Sequence, residues 1–113
     1  MNQVLVEMIE GCTGKIKNGL LEEDLKVSGR DFPQIIMLIQ TLGKALKEDP
    51  EQNTCLFVIN VGFANMAYAY VAIQKENNVL HVLVYAKEGL IKQGLAKKAM
   101  AKVKGVIYGN GQY

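Results

Sequence analysis

Between Asn53 and Ala86 apolar residues dominate, and their spacing sets out three strands, at about 54–61, 66–75 and 79–86. These segments are rich in Val, Ile, Tyr and Phe, which suit a pleated, half-buried surface, and Gly, Ala and Asn clusters separate them. Asn77-Asn78 forms a two-residue hairpin turn between the last two, because Asn tolerates the positive φ that such turns need. The register follows: Tyr70 faces Tyr85, Val71 faces Val84, Ile73 faces Val82 and Gln74 faces His81. One face is then aliphatic, through Val71, Ile73, Leu80, Val82 and Val84, while the other carries Tyr68, Tyr70, Gln74, His81 and Tyr85. In the first strand Leu56 and Val58 oppose Cys55, Phe57, Ile59 and Val61, so both of its faces are apolar and the sheet needs cover on both sides.

Helical spacing surrounds this block. Val4, Leu5, Met8 and Ile9 predict a short first helix ending at Gly11, and the weaker pattern over 11–30 predicts a short hairpin with strands near 14–20 and 24–28. Asp31 caps a second helix with Pro33 in its first turn. Its stripe of Ile35, Leu38, Ile39, Leu42, Ala45 and Leu46 runs on to Asp49-Pro50. A last helix from Leu90 or Gly94 to Lys104 buries Leu95, Ala99 and Val103 and turns Lys97, Lys98, Lys102 and Lys104 outward. The order helix, strand, strand, helix, strand, strand, strand, helix predicts an α+β fold with a mostly antiparallel sheet of three to five strands. The helix from Pro33 is expected on one face and the terminal helices on the other. Residues 1–107 form a single domain in this reading, and 108–113 a flexible tail.

Composition keeps this within the range of globular domains, with hydrophobic residues at 50% and charged residues at 21% of the chain. No charged residue lies between Glu51 and Lys75, but Asn60, Gly62 and Asn65 interrupt that run, which argues against a membrane span. The start of the chain has no basic region of the kind that opens a secretory signal. Cys12 and Cys55 have no paired spacing, so free thiols and a cytoplasmic location are expected, without a metal or cofactor. The chain is acidic up to residue 53 and basic beyond it, for a net charge of +2, a division that suits a complementary dimer as well as a polyanionic partner.

Catalytic patterns are sparse. Gly14-Lys15 is not a phosphate-binding loop, since Ile9 stands where its first glycine belongs and Ile16 where its Ser or Thr belongs. The sole histidine, His81, lies in mid-strand, and nothing in the spacing brings it to a cysteine. The outward positions that remain suit binding. Ile36 and Met37 fall off the second helix's stripe with Gly43 beside them, which makes these three the candidate dimer contact. Lys97, Lys98, Lys102 and Lys104, with Tyr68, Tyr70 and Tyr85 to stack bases, are the candidate nucleic-acid surface.

The order of elements and the texture of NNVLHVLVYAKEGLIKQGLAKKAMAKV resemble the roadblock and longin-like family of small α/β scaffold proteins. That resemblance spans most of the chain and implies a homo- or heterodimeric, non-enzymatic platform for protein partners. Residues 33–104 also resemble a double-stranded-RNA-binding domain. By that resemblance Lys97, Lys98 and Lys102 grip phosphates, although VGFANM stands where that family has a Gly-Pro-x-His loop. The need for cover on both sheet faces favours the first resemblance. The expected function is therefore that of a dimeric interaction or scaffold protein, with nucleic-acid binding as the alternative.

Overall fold

The structure, a computed structural model, describes residues 1–88 and 94–109. It is an α+β fold: α1 (Gln3–Thr13), β1 (Leu20–Lys26), α2 (Phe32–Gln40), β2 (Gly43–Asp49), β3 (Thr54–Val61), a single 3-10 turn (Phe63–Asn65), β4 (Ala67–Glu76), β5 (Val79–Tyr85) and α3 (Leu95–Tyr108). The five strands form one antiparallel sheet in the order β1-β5-β4-β3-β2. Among the described residues no helix is long and apolar enough to cross a membrane.

The β4–β5 hairpin has the register expected from Asn77-Asn78, with Tyr70 opposite Tyr85 and Gln74 opposite His81. Asn77 takes the positive φ, 55°, that lets the chain reverse there. Nearly all of β3 is buried, in keeping with its two apolar faces. Phe57, Ile59, Val71, Val82 and Val84 form the main core with Ile35 and Ile39 of α2 and Ala99, Met100, Val103 and Ile107 of α3. On the opposite face Leu5 and Ile9 of α1 pack on Leu56, Ala72 and Leu83.

That layering differs from expectation, since α2 and α3 share one face and α1 covers the other alone. The continuous aliphatic face of β3, β4 and β5 is too broad for one helix, and two amphipathic stripes close it. The second helix is also shorter than its stripe implied. It begins on a full capping box, in which Gln34 N–H donates to Asp31 Oδ1 and Asp31 N–H to Gln34 Oε1, both at 2.9 Å. It ends at Gln40, where the Thr41 hydroxyl donates to the Leu38 carbonyl at 2.6 Å. The chain from Gly43 to Asp49 then pairs with β3, with a bulge between Ala45 and Lys47 that leaves Leu46 exposed.

The short hairpin expected over 14–28 does not form. Instead the segment supplies one strand, β1, whose acidic residues pair along β5, with Glu23 opposite Val82 and Asp24 opposite His81. The five strands and three helices thus stand roughly in the expected order, the second strand coming after α2 rather than before it. Helix α1 runs through Gly11 to Thr13 and stops at Gly14, whose φ of 81° ends the helix with its N–H on the Glu10 carbonyl. At the other end α3 begins at Leu95 and extends to Tyr108. Leu90 and residues 110–113 of the expected tail lie outside the described residues.

Candidate functional site

The sheet face under α1 is only partly covered. Eleven helical residues make α1 about 16 Å long, whereas the ten residues of β4 reach about 34 Å. Leu5 and Ile9 sit over Leu56, Ala72 and Leu83 with Tyr70 and Tyr85 half-buried beside them, and Tyr68, further along β4, stands exposed. There the C-terminal end of α1 and the ends of β4 and β5 enclose an open cleft of about 650 Å³, rimmed by Cys12, Lys15, Met66 and Lys87 with the three tyrosines inside. The Tyr68 and Tyr70 rings meet edge to face, with centroids 5.8 Å apart and planes at 85°. Burial, reinforced by Tyr68 and Cys12 alongside, pushes the Tyr70 hydroxyl above its usual pKa of 10.0, so it remains an O–H donor at neutral pH.

Next to the cleft the β3–β4 connection displays apolar side chains. Phe63 is 81% exposed and Met66 83%, and Tyr68 beyond them is 58% exposed. The backbone that presents them is held in an unusual conformation, with Ala64 at φ 54°, ψ 27° and Asn65 at φ 55°. Asparagine tolerates the left-handed region, but alanine adopts it only where the surroundings hold it there. Lys102 of α3 supplies that hold, donating from Nζ to the Asn60 carbonyl at 2.9 Å and to Asn65 Oδ1 at 2.7 Å.

The expected dimer contact is not assembled on one face. Ile36 is 6% exposed and belongs to the core, Met37 is 68% exposed on α2, and Gly43 begins β2. A backbone does come close to Gly43, but it is that of β3: a Cβ built there would lie 2.1 Å from the Val58 carbonyl oxygen. The nucleic-acid candidates are likewise split. The lysines ride on α3 against the aliphatic sheet face, while the tyrosines lie on the face that α1 covers. Lys102 holds the β3–β4 loop and Lys104 pairs with Glu23 at 2.9 Å, which leaves Lys97 and Lys98 exposed on α3.

His81 occupies a different polar cluster. Its Nδ1 lies 2.7 Å from Asp24 Oδ1 and its Nε2 2.7 Å from Glu76 Oε1. Two carboxylate acceptors ask for an N–H on each ring nitrogen, which favours the imidazolium. The Asp24 hydrogen bond raises the His81 pKa above 6.5, partial burial opposes it, and Glu76 adds to the rise. The stability this cluster contributes is therefore fully present below the unfolded histidine value of about 6.5 and is lost as pH rises through the higher folded value. In a proton NMR titration His81 is expected to titrate above 6.5, and Asp24→Asn to bring its midpoint down. An Asp24→Asn midpoint equal to that of the wild type would show that the carboxylate does not hold the imidazole.

Sequence reasoning missed Phe63 and Met66 as surface residues. Phe63 lies in a Gly/Ala/Asn turn where no strand register exists to bury it, whereas Met66, expected as the first residue of the second strand, precedes β4, which begins at Ala67. The chain matches no protein-family model and no curated protein.

Proposed function

We propose that this is a small non-enzymatic interaction protein that pairs with a second copy of itself through the β3–β4 loop and the adjoining Tyr68. The observation that carries the reading is the exposure of Phe63, Met66 and Tyr68 on a loop that Lys102 holds in a left-handed turn. Retaining strain to present apolar side chains is a mark of a contact surface. No charged residue lies between Glu51 and Lys75, so the loop itself brings no charge to a two-fold contact with its own copy, and Lys102 beside it is occupied by Asn60 and Asn65. The resemblance to the roadblock and longin-like family implies the same kind of role.

Two further features suit a non-catalytic protein. His81 is committed to two carboxylates, and burial pushes the Cys55 thiol up to about 11, with Glu48 adding to the rise, so neither group is poised as base or nucleophile. Cys12 and Cys55 are both free, in keeping with a cytoplasmic location. Nucleic-acid binding has less support, because the lysines and tyrosines it would combine face opposite ways.

Sedimentation velocity over a range of protein concentrations tests the pairing. The wild type is expected to move toward a dimer as concentration rises, and Phe63→Ser with Met66→Ser to weaken self-association by about thirtyfold, as loss of a central apolar contact does. A wild-type protein that stays monomeric at every concentration, or a double variant that pairs as well as wild type, would overturn the reading.

A further inference from the structure

We propose that the tyrosine cleft is a binding site for a small planar aromatic anion, a flat ring system that carries a carboxylate or a phosphate. Its volume of about 650 Å³ lies within the range of small-molecule sites, roughly 300–1,000 Å³. Tyr68, Tyr70 and Tyr85 line the cleft and supply ring surface for a flat apolar body.

Charge decides the rest of the ligand. Lys15, in the loop after α1, and Lys87, just beyond β5, bring two ammonium groups to the rim. Lys102 and Lys104 are tied to acceptors within the fold, but neither Lys15 nor Lys87 makes an ion pair among the described residues. The acidic side chain at the cleft, Glu88, is engaged elsewhere: its Oε1 accepts from the Gly94 N–H at 2.7 Å and the Leu95 N–H at 3.3 Å at the start of α3. The carbonyls at the end of α1 are partly satisfied as well, Ile9 by the Thr13 hydroxyl at 3.2 Å and Glu10 by the Gly14 N–H at 2.8 Å. Two lysine ammonium groups against the single Glu88 carboxylate leave the lining with a net positive charge beside the tyrosine rings. A neutral ring would leave the lysines unused, and a bare anion would leave the tyrosines unused.

Cys12 provides the reporter, because it is exposed on the rim while Cys55 is buried with its thiol pushed up to about 11. Alkylation of Cys12 by iodoacetamide is followed by mass spectrometry in the presence of 1-naphthoate, 1-naphthyl phosphate, 1-naphthol or inorganic phosphate. At least one of the two planar anions is expected to slow the reaction at concentrations about tenfold lower than 1-naphthol requires, and Lys15→Gln with Lys87→Gln to abolish that preference. The better of the two anions identifies the charged group. The proposal is overturned if 1-naphthol or inorganic phosphate protects as well as the planar anions, if the double glutamine variant keeps the preference, or if nothing protects. Both lysines are exposed, so the variants retain the fold, which circular dichroism verifies. Repeating the series on Phe63→Ser, whose substitution lies outside the cleft, separates failure of this site from failure of self-association.

Discussion

Gly43→Ala is expected to destabilise the protein by about 3 kcal/mol, read as a lower midpoint of urea unfolding. The new Cβ would lie 2.1 Å from the Val58 carbonyl oxygen and 2.6 Å from the Ile59 Cα. Both are backbone atoms of the paired strand, so no side chain can rotate away and β2 must separate locally from β3. The sign distinguishes this structure from the helix that the apolar stripe predicted. In the middle of a helix the same substitution would stabilise by about 1 kcal/mol. An unchanged or raised midpoint would mean that β2 is not paired as described.

Phe57→Ala is expected to cost about 4 kcal/mol. Phe57 is fully buried in β3, with β2 on one side through Ala45 and β4 on the other through Val71, and it belongs to the core that α2 and α3 close. Truncation leaves a cavity at the centre of the sheet, where neighbours on both sides are held by backbone pairing and cannot collapse into it. Urea unfolding followed by circular dichroism measures the loss. A cost below about 1.5 kcal/mol, the range of tolerated hydrophobic swaps, would place Phe57 outside the main core.

The parts of the fold legible in sequence are those where one local rule dominates. Asn77-Asn78 fixed the β4–β5 register, and with it the separation of an aliphatic face from one bearing Tyr68, Tyr70, Tyr85 and His81. Asp31 and Pro33 marked the start of α2 for the same reason, since capping is decided within four residues. Its end was hidden because Leu42, Ala45 and Leu46 continue a helical stripe by coincidence. What decides the matter is the pairing of Gly43 with Ile59, a long-range contact that overrides local periodicity. β1 was obscured in the same way, because its acidic run shows an amphipathic pattern only once it lies along β5.

The candidate site divides along similar lines. The tyrosine face followed from the hairpin register, but its exposure depends on how far the short α1 reaches across the sheet, and no local pattern encodes that. The partners of His81 were out of reach too. Glu76 lies five residues away in the sequence, whereas Asp24 arrives only through the β1–β5 pairing. Lys102 and Lys104 look like an ordinary solvated face in the sequence, and it is their tertiary contacts with Asn65 and Glu23 that remove them from a basic patch.

Methionine-methyl NMR on a dilution series tests the central claim most directly, because the five methionines sample the rival surfaces in one spectrum. Met66 stands on the β3–β4 loop, Met37 on the α2 surface singled out by the sequence, and Met100 in the core as an internal control. Pairing through the loop predicts that the Met66 methyl shifts or broadens with protein concentration while Met37 and Met100 hold their positions. Movement of Met37 with Met66 unchanged would transfer the contact to α2, and a Met66 signal constant across the series would contradict self-association through this loop.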